Sequence, residues 1–391
     1  MSVDDFDERI GRRGSASVKW DEADRLFGGK ELLPLWVADM DFRVPDAVTQ
    51  ALLKRVGHGI YGYTTRSDTY LEAVRNWMQK RHGWAVQKDW LCHSPGVVTA
   101  LNLLIDGLTE PGDKVLIQPP VYPPFRKAVQ NQGRRVVTNP LVNHDGAYTM
   151  DFEDLERKFT DPAVRLMILC SPHNPVGRVW TAQELRRVAE LAKKYDVLVV
   201  SDEIHGDLVL DNRAQIPFAS LPGDAADRCI ACTAPSKTFN LAGLQISNII
   251  IKNPVLRKRY NRQLARFGLS EANTLGETAA EAAYRGGASW LDRLLVYIKD
   301  NADMVERCLK RELPQLRMSP LEGTYLGWID CRGLGLGPEQ LRRLFVDHAH
   351  LAVNPGDSFG SEGEGFVRIN LACPRSLLEE ALSRLKRAID G

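Results

Sequence analysis

Between about residues 90 and 255 the chain alternates short apolar runs with segments of helical periodicity, and few architectures accept that alternation. The runs are Val115-Leu116-Ile117, Val164 to Leu169, Val197 to Val200, Cys229 to Thr233 and Ile246 to Ile251. Each is close to uniformly apolar, as expected of strands covered on both faces. Between two of them, Ala182 to Tyr195 carries Leu185, Val188, Ala189 and Ala192 at helical spacing with charges elsewhere, the pattern of a crossover helix. The expected fold is α/β, a large domain with a mostly parallel sheet. After about Ala283 the pattern changes to a long helix (Trp290 to Leu309), strands near Thr324 to Ile329 and Val367 to Asn370, and an amphipathic helix from Ser376, which together suggest a smaller α+β domain. The first 45 or so residues lead into Leu35-Trp36-Val37-Ala38-Asp39-Met40-Asp41-Phe42, expected to pack with the C-terminal domain beside any site. The resulting division is an N-terminal segment 1–45, a large domain 46–283 and a small domain 284–391.

With 391 residues, 44% of them hydrophobic, the chain can bury two or three domains around an enclosed site. Lys plus Arg (51) nearly balances Asp plus Glu (50), leaving no electrostatic footprint for nucleic acid or an anionic membrane. The N-terminus is acidic and polar, and no run of about 18 apolar residues follows. A cytoplasmic protein acting on small molecules is expected. Seven scattered cysteines argue against a disulfide framework. Cys229 and Cys232 form a CxxC, but an offset of three along a strand points them to opposite faces, so a structural role is favoured. His348-Ala349-His350 has no companion ligands at metal spacing, and zinc is not expected.

In open α/β sheets ligands sit beyond the carboxyl ends of strands, and the polar signals of this chain fall there. After Leu169-Cys170 comes Ser171-Pro172-His173-Asn174-Pro175-Val176-Gly177, a turn stiff enough to fix the Asn174 amide. After Val199-Val200 comes Ser201-Asp202-Glu203-Ile204-His205, which places the Asp202 carboxylate at the mouth of a buried strand. Such a charge calls for a cation. A protonated pyridine nitrogen at about 4 Å would attract it by about 4 kcal/mol at an effective dielectric near 20; a helix cap or a structural ion pair is the alternative. The next strand ends at Pro235-Ser236-Lys237, where a desolvated amine can attack an aldehyde near neutral pH, and pyridoxal phosphate is the aldehyde expected. Ser94-Pro95-Gly96-Val97-Val98-Thr99 reads as a Gly turn opening a helix, suited to a phosphate or simply an ordinary helix start. Tyr122, held among Pro119, Pro120, Pro123 and Pro124, could stack on a flat ring.

These residues, in this order, resemble the fold-type I pyridoxal phosphate-dependent transferase fold over nearly the whole chain. Val37 to Phe42, Tyr61-Gly62-Tyr63, Ser171 to Trp180, Asp202-Glu203-Ile204-His205 and Asn354-Pro355-Gly356 are similar to the MalY/PatB-type cystathionine β-lyases. By that resemblance Lys237 forms the Schiff base with the cofactor, Asp202 pairs with its ring nitrogen, Asn174 contacts the ring hydroxyl and Tyr122 stacks on the ring. Gly96, Val97, Val98, Thr233 and Ser236 would surround the phosphate. Tyr61 would reach the phosphate of the neighbouring subunit, so a homodimer with a shared active site is implied. Arg368 would grip the substrate carboxylate through a bidentate fork, unless it is a structural arginine facing inward. Asn174 and Tyr122 would also border the substrate.

The implied reaction is cleavage of L-cystathionine or a related cysteine S-conjugate to a thiol such as homocysteine, pyruvate and ammonia. Lys237 is the implied base for the α-proton, and the group that protonates the departing sulfur is left open among Tyr61, Tyr122 and Lys237. Two departures from the broader aminotransferase pattern stand out. Gln245 occupies the position where many aminotransferases hold the phosphate with arginine, and His205 the position of a tyrosine on the ring hydroxyl. Both agree with the lyase branch while leaving an aminotransferase as the alternative. A cofactor-sensing transcription regulator would need a DNA-binding segment, and the residues before Tyr61 contain no helix-turn-helix pattern or basic patch. The glycine-rich stretch Ser358 to Gly365 reads as a mobile cover over the site or as a plain surface turn.

Overall fold

In the computed structural model, which describes residues 5–211 and 213–391, the apolar runs become strands of one seven-stranded sheet. Its order is Leu91–Ser94, Ser247–Ile250, Cys229–Thr233, Leu198–Asp202, Val164–Cys170, Lys114–Ile117 and Arg135–Thr138. Ser247–Ile250 pairs antiparallel with both of its neighbours, and the remaining pairs are parallel. The carboxyl ends of the other strands therefore open on the same edge of the sheet, where a single cavity can collect side chains from several of them.

The pleat divides each strand between two cores. Met167, Leu169, Val199, Cys229 and Ala231 belong to one, while Leu166, Ile168, Val200, Ile230 and Cys232 belong to the other. Cys229 and Cys232 thus face opposite sides, as their offset of three requires. All seven cysteines are unpaired. The crossover helix Ala182–Lys194 turns Leu185, Val188, Leu191 and Ala192 inward and starts on a capping box between Thr181 and Glu184. Burying each of its large aliphatic side chains contributes about 1.5–3 kcal/mol. Replacing Val188 with a charged residue would leave an unpaired charge in the core.

Beyond the 25-residue helix Ala288–Glu312, a second sheet runs antiparallel in the order Arg317–Met318, Leu326–Asp330, Phe366–Asn370 and Asn354–Pro355. Near the N-terminus Leu33–Pro34 pairs parallel with Leu351–Ala352, and the Asn370 amide donates to the Leu35 carbonyl at 2.8 Å. Leu33 and Leu35 enter the C-terminal core, whereas Met40 and Phe42 enter a core of the large sheet. Residues 35–42 therefore cross from one core to the other as a strap without regular secondary structure. Among the described residues no helix is long and apolar enough to cross a membrane.

Candidate active site

A cavity of about 190 Å³ opens where the parallel strands end. Gly96, Val97, Val98 and Thr99 line one side, Tyr122, Cys170 and Asn174 the next, and Asp202, Ile204, His205, Ser236 and Lys237 the floor, with Ala38 of the strap opposite. Ten of the twelve residues expected from sequence at the cofactor or substrate come together at this cavity or on its border. Nine line it, and Arg368 borders it through a hydrogen bond to Asn174.

Asp202 ends the strand Leu198–Asp202, with Cys170 and Cys232 as its neighbours in the ladder. Its carboxylate accepts the Ile204 amide at 3.1 Å and, among the described residues, forms no ion pair within hydrogen-bond reach. Burial pushes this carboxyl up to about 7, helped by Glu203 and opposed by the Ile204 amide and Lys237. The adjacent Glu203 turns away from the cavity and is held by the Ser201 hydroxyl at 2.7 Å and the Phe218 amide at 2.8 Å. Asp202 is therefore the acid left free for a cation inside the cavity.

Lys237 sits in the short helix Pro235–Thr238 directly after the strand Cys229–Thr233. Its neighbour Thr238 donates to Asp207 at 2.7 Å, and Trp77 bonds the same carboxylate at 2.9 Å, so the turn that carries the lysine is anchored from below. The Lys237 amine donates to the Ala38 carbonyl at 2.5 Å. Burial, with repulsion from Arg368, brings it down to about 8 against the attraction of Asp39 and Asp202. An amine with that value is partly neutral near pH 7–8 and able to act as nucleophile or base.

Asn174 is buried between cis peptide bonds at Ser171-Pro172 and Asn174-Pro175, and its carbonyl accepts the Tyr122 amide at 3.1 Å. Its side-chain oxygen accepts from Arg368 at 3.0 Å. Arg368, in the strand Phe366–Asn370, also donates to the Trp36 carbonyl at 2.8 Å and to Asn354 at 2.6 Å, and lies over the Phe359 ring at 5.0 Å. Among the described residues no carboxylate partners it and its Nε lacks a hydrogen-bond partner, and burial lowers it only to about 10. A guanidinium buried without an anion is poised for an anionic ligand. His205 is buried with Nδ1 unpartnered, and burial, with Lys237 and Arg368 nearby, holds it well below the ordinary histidine range. It faces the cavity as a neutral imidazole.

The helix Val97–Leu108 opens on Gly96 with no side-chain cap, leaving its first amides available at the cavity wall. Gln245 lines the same side in a left-handed conformation (φ 50°). Two expected residues stand elsewhere. Thr233 pairs in register with Asn248, and its hydroxyl donates to the Asn248 carbonyl at 3.2 Å outside the cavity. Tyr61 is 57% exposed, and its hydroxyl donates to the Val56 carbonyl at 2.9 Å.

The segment Ser358 to Gly365 forms two short 3₁₀ turns, Gly356–Phe359 and Ser361–Gly363. The Phe359 carbonyl accepts the Val121 amide at 2.9 Å, and a Cβ on Gly363 would lie 2.0 Å from the Gly356 carbonyl oxygen. These turns bring backbone against backbone and form a wall beside Arg368. Sequence reasoning missed the Ala38 carbonyl, Trp36, Asn354 and Tyr325, whose hydroxyl donates to Ala38 at 2.9 Å. Ala38 and Asn354 lie inside the family-like motifs Val37 to Phe42 and Asn354-Pro355-Gly356 and Trp36 adjoins the first, whereas Tyr325 had no signal beyond its place in an expected strand.

Residues 30–385 match the family of aminotransferase class I and II. The chain is 48% identical over 384 residues to cystathionine β-lyase PatB of Bacillus subtilis (strain 168), covering 98% of this chain and 99% of PatB. It superposes on a PLP-bound putative aminotransferase of Clostridium difficile 630 with TM-score 0.97 and 44% identity, covering 99% of this chain and 100% of that one. A PLP-bound C–S lyase of Staphylococcus hominis gives TM-score 0.92 and 34% identity, covering 100% of this chain and 99% of that one. The chain belongs to the aminotransferase class I and II family, in the branch of the MalY/PatB-type cystathionine β-lyases.

Proposed function

We propose that this protein is a pyridoxal phosphate-dependent carbon–sulfur β-lyase that cleaves L-cystathionine or related cysteine S-conjugates to a thiol, pyruvate and ammonia. The observation that carries the reading is one cavity holding a buried amine near neutrality, Lys237, together with a buried carboxylate, Asp202, that lacks a cation. The cavity fits the cofactor through its own chemistry. Lys237 suits an aldehyde, Asp202 a protonated pyridine, and the uncapped amides of Val97 and Val98, beside Gly96 and Ser236, a phosphate. Asn174 and His205 would border the ring hydroxyl and Tyr122 the ring face, while Gln245, being uncharged, would leave the phosphate to neutral donors.

When bound, the cofactor supplies an electron sink that lets an amino acid lose its α-proton and then its β-sulfur. The chain does the rest. Arg368, fixed by Asn174, Asn354 and the Trp36 carbonyl, orients the substrate carboxylate. Lys237 takes the α-proton. Loss of that proton and of the thiol leaves a three-carbon fragment that water converts to pyruvate and ammonia.

Leu53, Val56, Ile60, Tyr61 and Tyr63 leave a band of large apolar side chains exposed around the helix Asp46–Gly57, which supports a homodimer that brings Tyr61 to the partner's site. We place the cofactor domain at 46–283 and the small domain at 284–391, and the protein in the cytoplasm. A monomeric mass for fully active protein would remove the shared-site element. The activity is tested with purified protein, pyridoxal phosphate and L-cystathionine, with and without a 2-keto acid. Equimolar pyruvate and thiol without keto acid support the lyase; no elimination, with amino transfer once keto acid is added, makes the protein an aminotransferase.

A further inference from the structure

The strap Trp36 to Met40 offers five consecutive carbonyls, and a side chain donates to every one of them. Arg368 bonds Trp36 at 2.8 Å, Asn370 bonds Val37 at 2.7 Å and Asp39 at 2.5 Å, and Asn240 bonds Met40 at 3.0 Å. Ala38, in the middle, accepts two donors: the Lys237 amine at 2.5 Å and the Tyr325 hydroxyl at 2.9 Å. Tyr325 is fully buried at the entry to the strand Leu326–Asp330, and its ring meets His205 edge to face at 6.0 Å. We propose that Tyr325 is a positioning residue for Lys237: by sharing the Ala38 carbonyl, its hydroxyl fixes where the free amine rests while weakening the grip of that carbonyl on an ammonium.

The physical ground is competition for one acceptor. A carbonyl that already accepts an O–H has less negative charge to offer a second donor, and an ammonium depends on that charge more than a neutral amine does. The other groups facing the amine are Asp39 and Asp202, which favour its protonation, and Arg368, which opposes it, with neutral His205 beside them. Asp39 is itself held by Arg12 at 3.0 Å, so its field on the amine is partly offset. Tyr325 therefore acts with Arg368 to keep the amine available as a base. The importance of that base rests on the lyase reading, but the competition itself exists in the cofactor-free chain.

The test uses Tyr325→Phe, which keeps the ring and removes only the hydroxyl. In cofactor-stripped full-length protein, the labelling rate of Lys237 by an amine-directed reagent is followed against pH by peptide mass, with Lys237→Ala as the blank. The midpoint is expected to rise by about 0.5–1 pH unit, so that labelling near pH 7 slows about three- to tenfold. In the loaded enzyme kcat at neutral pH should fall by a similar factor and recover as pH rises, with KM and cofactor affinity unchanged. An unchanged or lowered midpoint overturns the proposal, whatever the lyase assay reports. Should Tyr325→Phe fold poorly, 3-fluorotyrosine at position 325, a stronger hydroxyl donor, must move the midpoint the opposite way; no shift, or an upward one, overturns the proposal equally.

Discussion

The two walls of the cavity are built on different principles. The sheet wall presents side chains at strand ends, with Asp202 closing one parallel strand and Asn174 and Lys237 following two others. The strap wall presents backbone carbonyls, with Trp36 facing Arg368 and Ala38 facing Lys237. The sheet wall carries the reactive groups, and the strap wall sets where two of them rest. Chemistry is concentrated on one side and geometry on the other.

If that division is right, substitutions on the sheet wall should cost reaction and those on the strap side should cost placement. Lys237→Ala should lower turnover by at least about 10³-fold in a pyruvate assay, because it removes both nucleophile and base. A surviving rate near wild type would put the base elsewhere. Arg368→Ala should lower kcat/KM for the amino acid by about 10²–10³-fold with cofactor affinity retained. Equal loss of both would show that its bonds to Asn174, Trp36 and Asn354 hold the wall together instead of serving the substrate.

Asp202→Asn should separate stability from function. The Asp202 carboxyl lies near 7 in the folded cofactor-free chain against an ordinary value of 3.8, so the folded state resists its ionisation. A group raised in this way favours folding at low pH, and that contribution is lost as pH climbs from about 4 to about 7. The neutral amide avoids the loss. Cofactor-free Asp202→Asn should therefore be more stable than wild type by roughly 2–4 kcal/mol in denaturant titrations at pH 8, with a smaller gain at pH 5. Adding cofactor should reverse the order, since the amide cannot neutralise a buried cation. A variant less stable than wild type at pH 8 without cofactor would mean that Asp202 is already satisfied. The smallest effect is expected for Thr233→Val, whose lost hydroxyl bonds only the neighbouring strand: cofactor affinity should change by less than about twofold, whereas a tenfold loss would return Thr233 to the phosphate.

The same contrast explains what the sequence could tell. Asp202, Lys237 and Asn174 were legible because a chemistry-bearing residue type stands at, or within four residues of, the end of an apolar run, and ligands gather at such ends in parallel sheets. The split of Cys229 and Cys232 between two cores followed from strand parity alone. Ala38 and Trp36 were not legible as site residues, because a carbonyl acceptor leaves no trace in residue type. The position of Thr233 depended on its register with Asn248 across an antiparallel pair, which spacing along one strand does not reveal. Ser358 to Gly365 allowed either a cover or a turn, because glycine permits mobility and close backbone contact alike. Here it serves close contact, between Gly356 and Gly363.

The most direct test of the central claim is to reduce the pyridoxal phosphate-loaded protein with borohydride and map its peptides by mass. The account predicts the reduced cofactor on Lys237 and on no other lysine, with the label lost when L-cystathionine is added before reduction. Label on a different lysine, or a Lys237 label indifferent to substrate, would contradict it.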